Sequence, residues 1–401
     1  MKSRQQNAGA LDPSFGDAGK VIYPDNDTKF SGTARVMADG KILAIKAFED
    51  GVSLVRFLSD GSIDKSFGDQ GVVDTVLRPG IPVSSVKWQF QGAANVIVTA
   101  KLIYIENFDE RVIIVRLMGD GSLDRKFGKL GIAEVPIPRV INDVYGVVVS
   151  QSGIAITMRQ LRAFDVYFAL IGSFTPDGQL NKNFDGGIVY SPARSYFYGD
   201  ILTQSDGKII VAGRPGGTDK LVLARYSLDG SIDAEYGNNG FFEYSESGEN
   251  YLQAHGIALQ PDGKVVVAGS LDNFGDSTSA GLLLRVTSDG KMDDSFNEGK
   301  AVVVSVGDQG SQNIKVAVQT DGSIVALAVT LGSADAALIR VLPTGVMDES
   351  FGEGGIVVAD FGGMDIGNLV SLQSDGKLLM SATSYFDDKP SPKLTMARFI
   401  S

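Results

Sequence analysis

Short apolar runs recur along this chain with polar, glycine-rich breaks between them. In residues 180–231, apolar runs at Ile188-Val189-Tyr190, at 200–204, at 208–212 and at 221–226 are separated by a variable stretch, by the turn Ser205-Asp206-Gly207, and by a loop carrying Gly213, Gly216 and Gly217. Short β-branched runs bounded by Asp-Gly or Gly-rich breaks predict strands joined in hairpins. No stretch of helical length carries apolar residues at helical spacing. The pattern predicts an all-β chain with four strands per unit.

The units are marked by a phrase. Leu-Asp-Pro-Ser-Phe-Gly at residues 11–16 returns in variant form at 63–68, 123–128, 180–185, 232–237, 292–297 and 347–352, with its aromatic member at Phe15, Phe67, Phe127, Phe184, Tyr236, Phe296 and Phe351. A repeat of this length is the signature of a repeat architecture rather than of independent domains. The repeats run 11–62, 63–122, 123–179, 180–231, 232–291, 292–346 and 347–401. Asp-Gly falls in two regular places, before the third apolar run of a unit (Asp39-Gly40, Asp206-Gly207, Asp262-Gly263, Asp321-Gly322, Asp375-Gly376) and after the fourth (Asp60-Gly61, Asp120-Gly121, Asp177-Gly178, Asp229-Gly230, Asp289-Gly290, with Thr344-Gly345 as the variant). Positive φ is nearly free for Gly and tolerable for Asp, so these are tight hairpin turns. A calcium loop is the rival reading. No segment keeps ligands at the alternating positions such a loop needs, and no metal is expected.

Four-stranded units arranged radially make a seven-bladed β-propeller, which keeps residues 1–401 in one domain because its core is distributed between neighbouring blades. A solenoid is the alternative. The first unit opens directly on the repeat phrase and the strand at 21–23, while the chain stops at 394–400, where every earlier unit continues into that phrase. The N-terminal strand is therefore expected to complete the last blade and remove the open edges a solenoid would have to cap.

Gln-Xaa-Asp-Gly-Lys before an apolar strand (204–209, 260–265, 373–378), Arg-Tyr or Arg-Phe before Asp-Gly, and then Leu-Asp-Xaa-Ser-Phe-Gly together resemble the delta-60 repeat, a bacterial β-propeller repeat, over nearly the whole chain. The second and third units depart from it, with Gln91-Gly92 and Ser152-Gly153 where Asp-Gly is expected. The resemblance implies a propeller and carries no catalytic motif. Strand order is also similar to that of NHL-type propellers, which implies that the strand before Gln-Xaa-Asp-Gly is innermost and the strand after Phe-Gly outermost.

Composition narrows the partners. A formal net charge of -12 opposes sequence-independent nucleic-acid binding, and no apolar segment approaches a membrane span. The first eight residues lack the apolar run of a secretory signal, so the default expectation is a cytoplasmic protein, or an extracellular one if the N-terminus is processed or export follows another route. Zero cysteines and one histidine exclude disulfides, thiolate chemistry and multi-histidine metal centres. No phosphate-binding loop, nucleophile elbow or dinucleotide fingerprint is present, so no cofactor is expected.

Two function classes remain open. In blade order the Asp-Gly turns crowd one face, and the variable connections emerge opposite, where binding residues tend to lie on a rigid scaffold. The preferred reading is a non-enzymatic recognition module for a protein, peptide or glycan. Its candidate binding residues are Tyr104, Phe108, Tyr167, Tyr196, Phe197, Tyr198, Tyr251, Phe274, Tyr385 and Phe386. The bland alternative for each is a loop pinned by its own aromatic. The second class is a propeller hydrolase or lyase with Asp200 as general acid or base in the central funnel, and Arg35, Lys87, Lys315 and His255 as electrostatic partners. The structural reading is preferred for His255, and for Trp88, which falls in a mainly apolar column and is expected to pack between blades.

Overall fold

The computed structural model describes all residues except 1–6, 24–31, 105–108, 138–140, 164–165, 193–196, 217, 247–249, 274–277, 333–334 and 388–390, and the backbone alone of 109, 141–142, 161–163, 166, 197 and 250. Seven sheets of four antiparallel strands each follow one another along the chain. Blade 4 is representative, with Phe197–Thr203 innermost, then Ile209–Arg214, Leu221–Tyr226 and, outermost, Phe241–Tyr244. First strands of successive blades pack against one another around the ring, which makes them the lining of a central channel. The molecule is a seven-bladed β-propeller with the expected strand order. Among the described residues the only helical segments are single 3₁₀ turns at Asp185–Gly187 and Asn297–Gly299.

Burial follows position in the blade. Leu221–Tyr226 is buried at every position, because both faces of a middle strand are covered by neighbouring blades, while the outermost Phe241–Tyr244 alternates. The core is accordingly shared between blades. Leu223 and Phe242 of blade 4 pack in one cluster with Leu252, Val265 and Leu284 of blade 5. Trp88 joins the cluster between blades 1 and 2 at 2% exposure, its indole N–H donating to Thr33 Oγ1 at 2.6 Å.

The chain ends close the ring. Lys20–Ile22 pairs with Lys393–Phe399 in the register Val21↔Met396, completing blade 7 as its outermost strand. Gly9 N donates to Ile400 O at 2.7 Å and Asp12 N to Arg398 O at 2.8 Å, extending the seam.

The repeat phrase builds a staple. In blade 4, Arg225 donates to Asp233 at 2.7 Å, lies 4.5 Å over the Tyr236 ring, and reaches the Ser288 carbonyl of blade 5 at 2.7 Å. Lys208, from Gln-Xaa-Asp-Gly-Lys, meets the same carboxylate at 2.8 Å. Blade 5 repeats this with Arg285, Asp293, Phe296, the Pro343 carbonyl and Lys264. In blade 7 the staple joins the two ends of the chain, through Arg398 and Lys377 on Asp12. The glycine after the aromatic holds positive φ, +54° at Gly237, where a Cβ would lie 2.2 Å from the Phe241 carbonyl. Asp185 and Asn297 take this conformation in the two blades lacking that glycine, and there the chain turns through the 3₁₀ segments instead.

One expectation is corrected. Several connections read as long loops are extended hairpins: Asn95–Tyr104 pairs with Asp109–Leu117 as far as Tyr104↔Asp109, and Gly153–Ala163 with Val166–Phe174 as far as Ala163↔Val166. Their β-branched and aromatic residues continue the ladder past the core. Tyr104, Tyr167, Phe197, Tyr198, Tyr251 and Tyr385 therefore stand on strands.

Candidate functional site

Six inner strands carry a bulge at the same level, with register shifts ending at Ser85, Gly146, Asp200, Gly256, Lys315 and Leu369. A bulge re-aims the side chain that follows it. It sends Asp200 and Lys315, from blades 4 and 6, together at 2.9 Å across the Gly256 position. A Cβ on Gly256 would lie 2.9 Å from the Ile314 carbonyl, so a side chain there would obstruct this approach. Asp200 also accepts from Ile201 N at 3.0 Å and Ile257 N at 3.3 Å. Its carboxylate is committed as an acceptor.

Arg35 and Lys87 join the same field. Arg35 lies 5.3 Å over Trp88, and burial, opposed by the charge of Asp200, brings its pKa down to about 10. Lys87 is pulled below the usual amine range by burial and then by the charge of Lys315, with Asp143 and Asp200 opposing. Much of its surface still meets solvent, as expected for a side chain crowded by protein but open along a channel. His255 takes no part in this pairing. Its Nε2 is 3.1 Å from Ser270 Oγ, which itself donates to Asp272 at 3.2 Å. Burial, opposed by Asp272, lowers His255 to about 4 and keeps it neutral near neutral pH. Ser270 is wholly buried with its proton directed at a carboxylate rather than at His255, so its hydroxyl is not activated as a nucleophile by that imidazole.

The aromatic candidates separate into groups. Phe108, Tyr196 and Phe274 lie outside the described residues, and only the backbone of Phe197 is described. Tyr198 is 3% exposed with its hydroxyl 2.7 Å from that of Tyr226, and Phe386 packs against the core cluster shared by blades 6 and 7, so neither is the exposed anchor the sequence suggested. Tyr104 lies under Arg111, and Tyr385 is exposed on blade 7. Tyr167, Tyr198 and Tyr251 gather at blades 3 to 5.

There, on the loop face, a pocket of about 250 Å³ is lined by Tyr145, Arg159, Tyr198, Arg214 and Gln253, together with Gly199, Gly213 and Ala254. Arg159 lies 4.5 Å over Tyr167 and 5.8 Å over Tyr145, and Arg214 lies 3.9 Å over Tyr251. Burial lowers the pKa of Arg214, the like charge of Arg159 lowers it further, and Asp272 opposes both. Burial raises Tyr145, so its hydroxyl keeps its proton and can donate. Sequence reasoning passed over Arg159 and Arg214. Their signal was an arginine at the loop end of an otherwise apolar strand, where the repeat gives no structural reason for one.

The Asp-rich turns use their carboxylates internally, as in Asp229, whose Oδ1 accepts from Ser231 N at 2.9 Å. Among the described residues, the one group of three or more carboxylate or imidazole side chains whose ligand atoms lie within 4.8 Å of one another is Asp335, Asp360 and Asp365. Asp365 is wholly buried and accepts from Phe361 N at 2.7 Å; burial raises its pKa, and the two neighbouring acids raise it further.

A family model described as a domain of unknown function (DUF5122) beta-propeller matches residues 38–67, 204–236 and 260–296. Each match runs from the first Asp-Gly turn to the aromatic of the phrase, in the blades where Lys41, Lys208 and Lys264 complete a staple. These matches place the chain with β-propeller repeat proteins. No curated protein matches it. Among solved structures, virginiamycin B lyase from Staphylococcus aureus is similar at 13% identity and TM-score 0.52 over 95% of this chain and 98% of that one. Prolyl oligopeptidase B from Galerina marginata is similar at 13% identity and TM-score 0.53 over 93% of this chain, which spans about half (49%) of that protein. At such identity the likeness is one of fold.

Proposed function

We infer that this protein is a recognition module of delta-60-repeat type, acting as one unit from residue 1 to residue 401, that binds a carboxylate-bearing peptide, protein or glycan through its loop face. The observation that carries this reading is the pairing of Arg159 and Arg214 at one small pocket, each guanidinium laid against a tyrosine ring. On a chain of net charge -12, two guanidinium groups within each other's field make a locally cationic place, which suits an anionic group. Guanidinium forks match carboxylates in bidentate geometry, and Tyr145 and Gln253 supply further donors.

Lys87, with its lowered amine pKa in the channel, is the specific observation favouring a hydrolase or lyase. The engagement of Asp200 with Lys315 and two backbone amides weighs against its use as a general base. The test compares a glutamate-rich peptide with its glutamine counterpart, and polygalacturonate with its methyl ester. The acidic member of at least one pair is expected to bind ten-fold or more tighter, with no product formed. Equal binding of acid and neutral forms contradicts the reading, and turnover abolished by Asp200→Asn in a folded variant replaces it with the enzyme.

A further inference from the structure

The staple fails in one blade. Where blades 1, 2, 4, 5, 6 and 7 carry Arg56, Arg116, Arg225, Arg285, Arg340 and Arg398, blade 3 carries Ser173. Where they carry aspartate, from Asp12 to Asp348, it carries Asn181, and Ile154 stands where blades 1, 4, 5 and 7 carry Lys41, Lys208, Lys264 and Lys377 and blade 6 carries Ser323. The exchanges of arginine and aspartate are matched: Asn181 Nδ2 donates to Ser173 Oγ at 3.1 Å, a neutral version of the ion pair. Removing only one partner would have left a buried charge uncompensated.

A groove of about 400 Å³ lies at this place, between blades 3 and 4 on the turn face. The corresponding groove between blades 7 and 1, of about 350 Å³, is lined by Asp60, Asp375, Lys377 and Arg398. The blade 3 groove has no charged residue in its lining. Ser173, Thr175, Asn181 and Asn183 offer hydroxyls and amides, and Ile154 and Leu228 offer apolar surface.

We propose that the groove between blades 3 and 4 is a binding site for a neutral saccharide. Serine and threonine hydroxyls and asparagine amides each donate and accept, which suits the hydroxyls of a sugar ring, and the apolar residues suit its C–H faces. The volume lies within the range of about 300–1,000 Å³ typical of small-ligand sites. An ion is disfavoured, since its lost hydration has no counter-charge to replace it. That argument includes the guanidinium of a partner's arginine, although six blades hold their own arginine at the equivalent place.

The test is saturation-transfer and calorimetric titration with maltose, cellobiose and lactose, with glucuronate and N-acetylarginine amide as charged probes. At least one neutral disaccharide is expected to bind, and the double variant Ser173→Arg/Asn181→Asp, which rebuilds the staple, to lose at least ten-fold in affinity without a fall in melting temperature. Should that variant misfold, Asn183→Ala, at an exposed position, is expected to weaken the same binding at least three-fold. Failure of all three disaccharides to bind, binding indifferent to both variants, or preference for either charged probe overturns the proposal. Loss of acid binding at Arg159 and Arg214 leaves this outcome unaffected, because that pocket is on the opposite face.

Discussion

On the turn face, Arg225, Asp233 and Lys208 of blade 4 meet as Arg285, Asp293 and Lys264 of blade 5 do, down to the aromatic ring beneath and the carbonyl reached in the next blade. Among the described residues of the loop face no such correspondence holds: blade 3 presents Arg159 and Tyr167, blade 4 Arg214, and blade 5 Tyr251. A feature repeated around a ring answers a need common to every blade, which is to hold its neighbour. A feature present once answers something outside the ring. The exception within the turn face, the neutral blade 3, follows the same logic, because it alone exchanges both the arginine and the aspartate of the staple, and the two replacements bond to each other.

The comparison can be broken most severely at the closure. Deleting residues 1–23 removes the outermost strand of blade 7 together with Asp12, leaving Arg398 buried without its carboxylate and the edge of Lys393–Phe399 open. Loss of cooperative thermal unfolding is expected, and a deletion that melted like the full chain would show that closure is dispensable. Next in size, Arg225→Ala leaves Asp233, which is 7% exposed, with Lys208 as its remaining counter-charge, and is expected to cost about 2–3 kcal/mol, as losing a charge-assisted hydrogen bond does. Ser173→Ala at the equivalent place in blade 3 is expected to cost about 1 kcal/mol, the worth of one neutral hydrogen bond. Urea midpoints of the two variants decide this. Equal losses would mean that the charged staple does no more than its neutral substitute.

Acid sharpens the same contrast. Hydrogen bonds from Ser14 and Lys377 and the charge of Arg398 outweigh desolvation and hold Asp12 at about 2 against an ordinary 3.8, and the staple aspartates 64, 124, 233, 293 and 348 are lowered too. A carboxyl that binds its proton less readily when folded stabilises the fold above its unfolded pKa and loses that contribution as pH falls through its folded one. Urea midpoints should therefore drop chiefly between about pH 4 and pH 2. A flat profile in that window would contradict the staples.

The staple lies on the legible side of the sequence. Seven aromatics and two Asp-Gly positions recur visibly, so blade number followed from spacing, closure from the complementary ends of the chain, and strand order from the resemblance to NHL-type propellers. The channel was partly legible: Asp200 and Lys315 were picked out, but the bulges that bring them together depend on register, which a period of two cannot show. The loop-face pocket was legible only as a region. Its aromatics were visible, whereas Arg159 and Arg214 were passed over, and the buried hydroxyl of Tyr198 looked like an exposed anchor. Side-chain partners from other blades decided each case, and those partners are remote in sequence.

Two smaller effects complete the series. His255 is the sole histidine, so its titration can be followed without assignment; burial takes it from 6.5 to about 4, and its ring signals should stay unchanged down to about pH 5. The neutral ring supports folding above pH 6.5, and that support declines as pH falls toward 4. A midpoint near 6.5 would place the ring in open solvent. Tyr385→Ala, at an exposed position, is expected to change stability by no more than about 0.5 kcal/mol. A loss of several times that would mean that the loop face is held together by its aromatics as the turn face is by its staples.

The most direct measurement of the division between the faces is calorimetric titration of whichever acidic ligand binds best into the wild type and into Arg159→Gln/Arg214→Gln, with the melting temperature of each recorded alongside. The account predicts a loss of about 2 kcal/mol or more in binding, roughly thirty-fold, at a melting temperature within a few degrees of wild type. Unchanged binding by the folded double variant would contradict it.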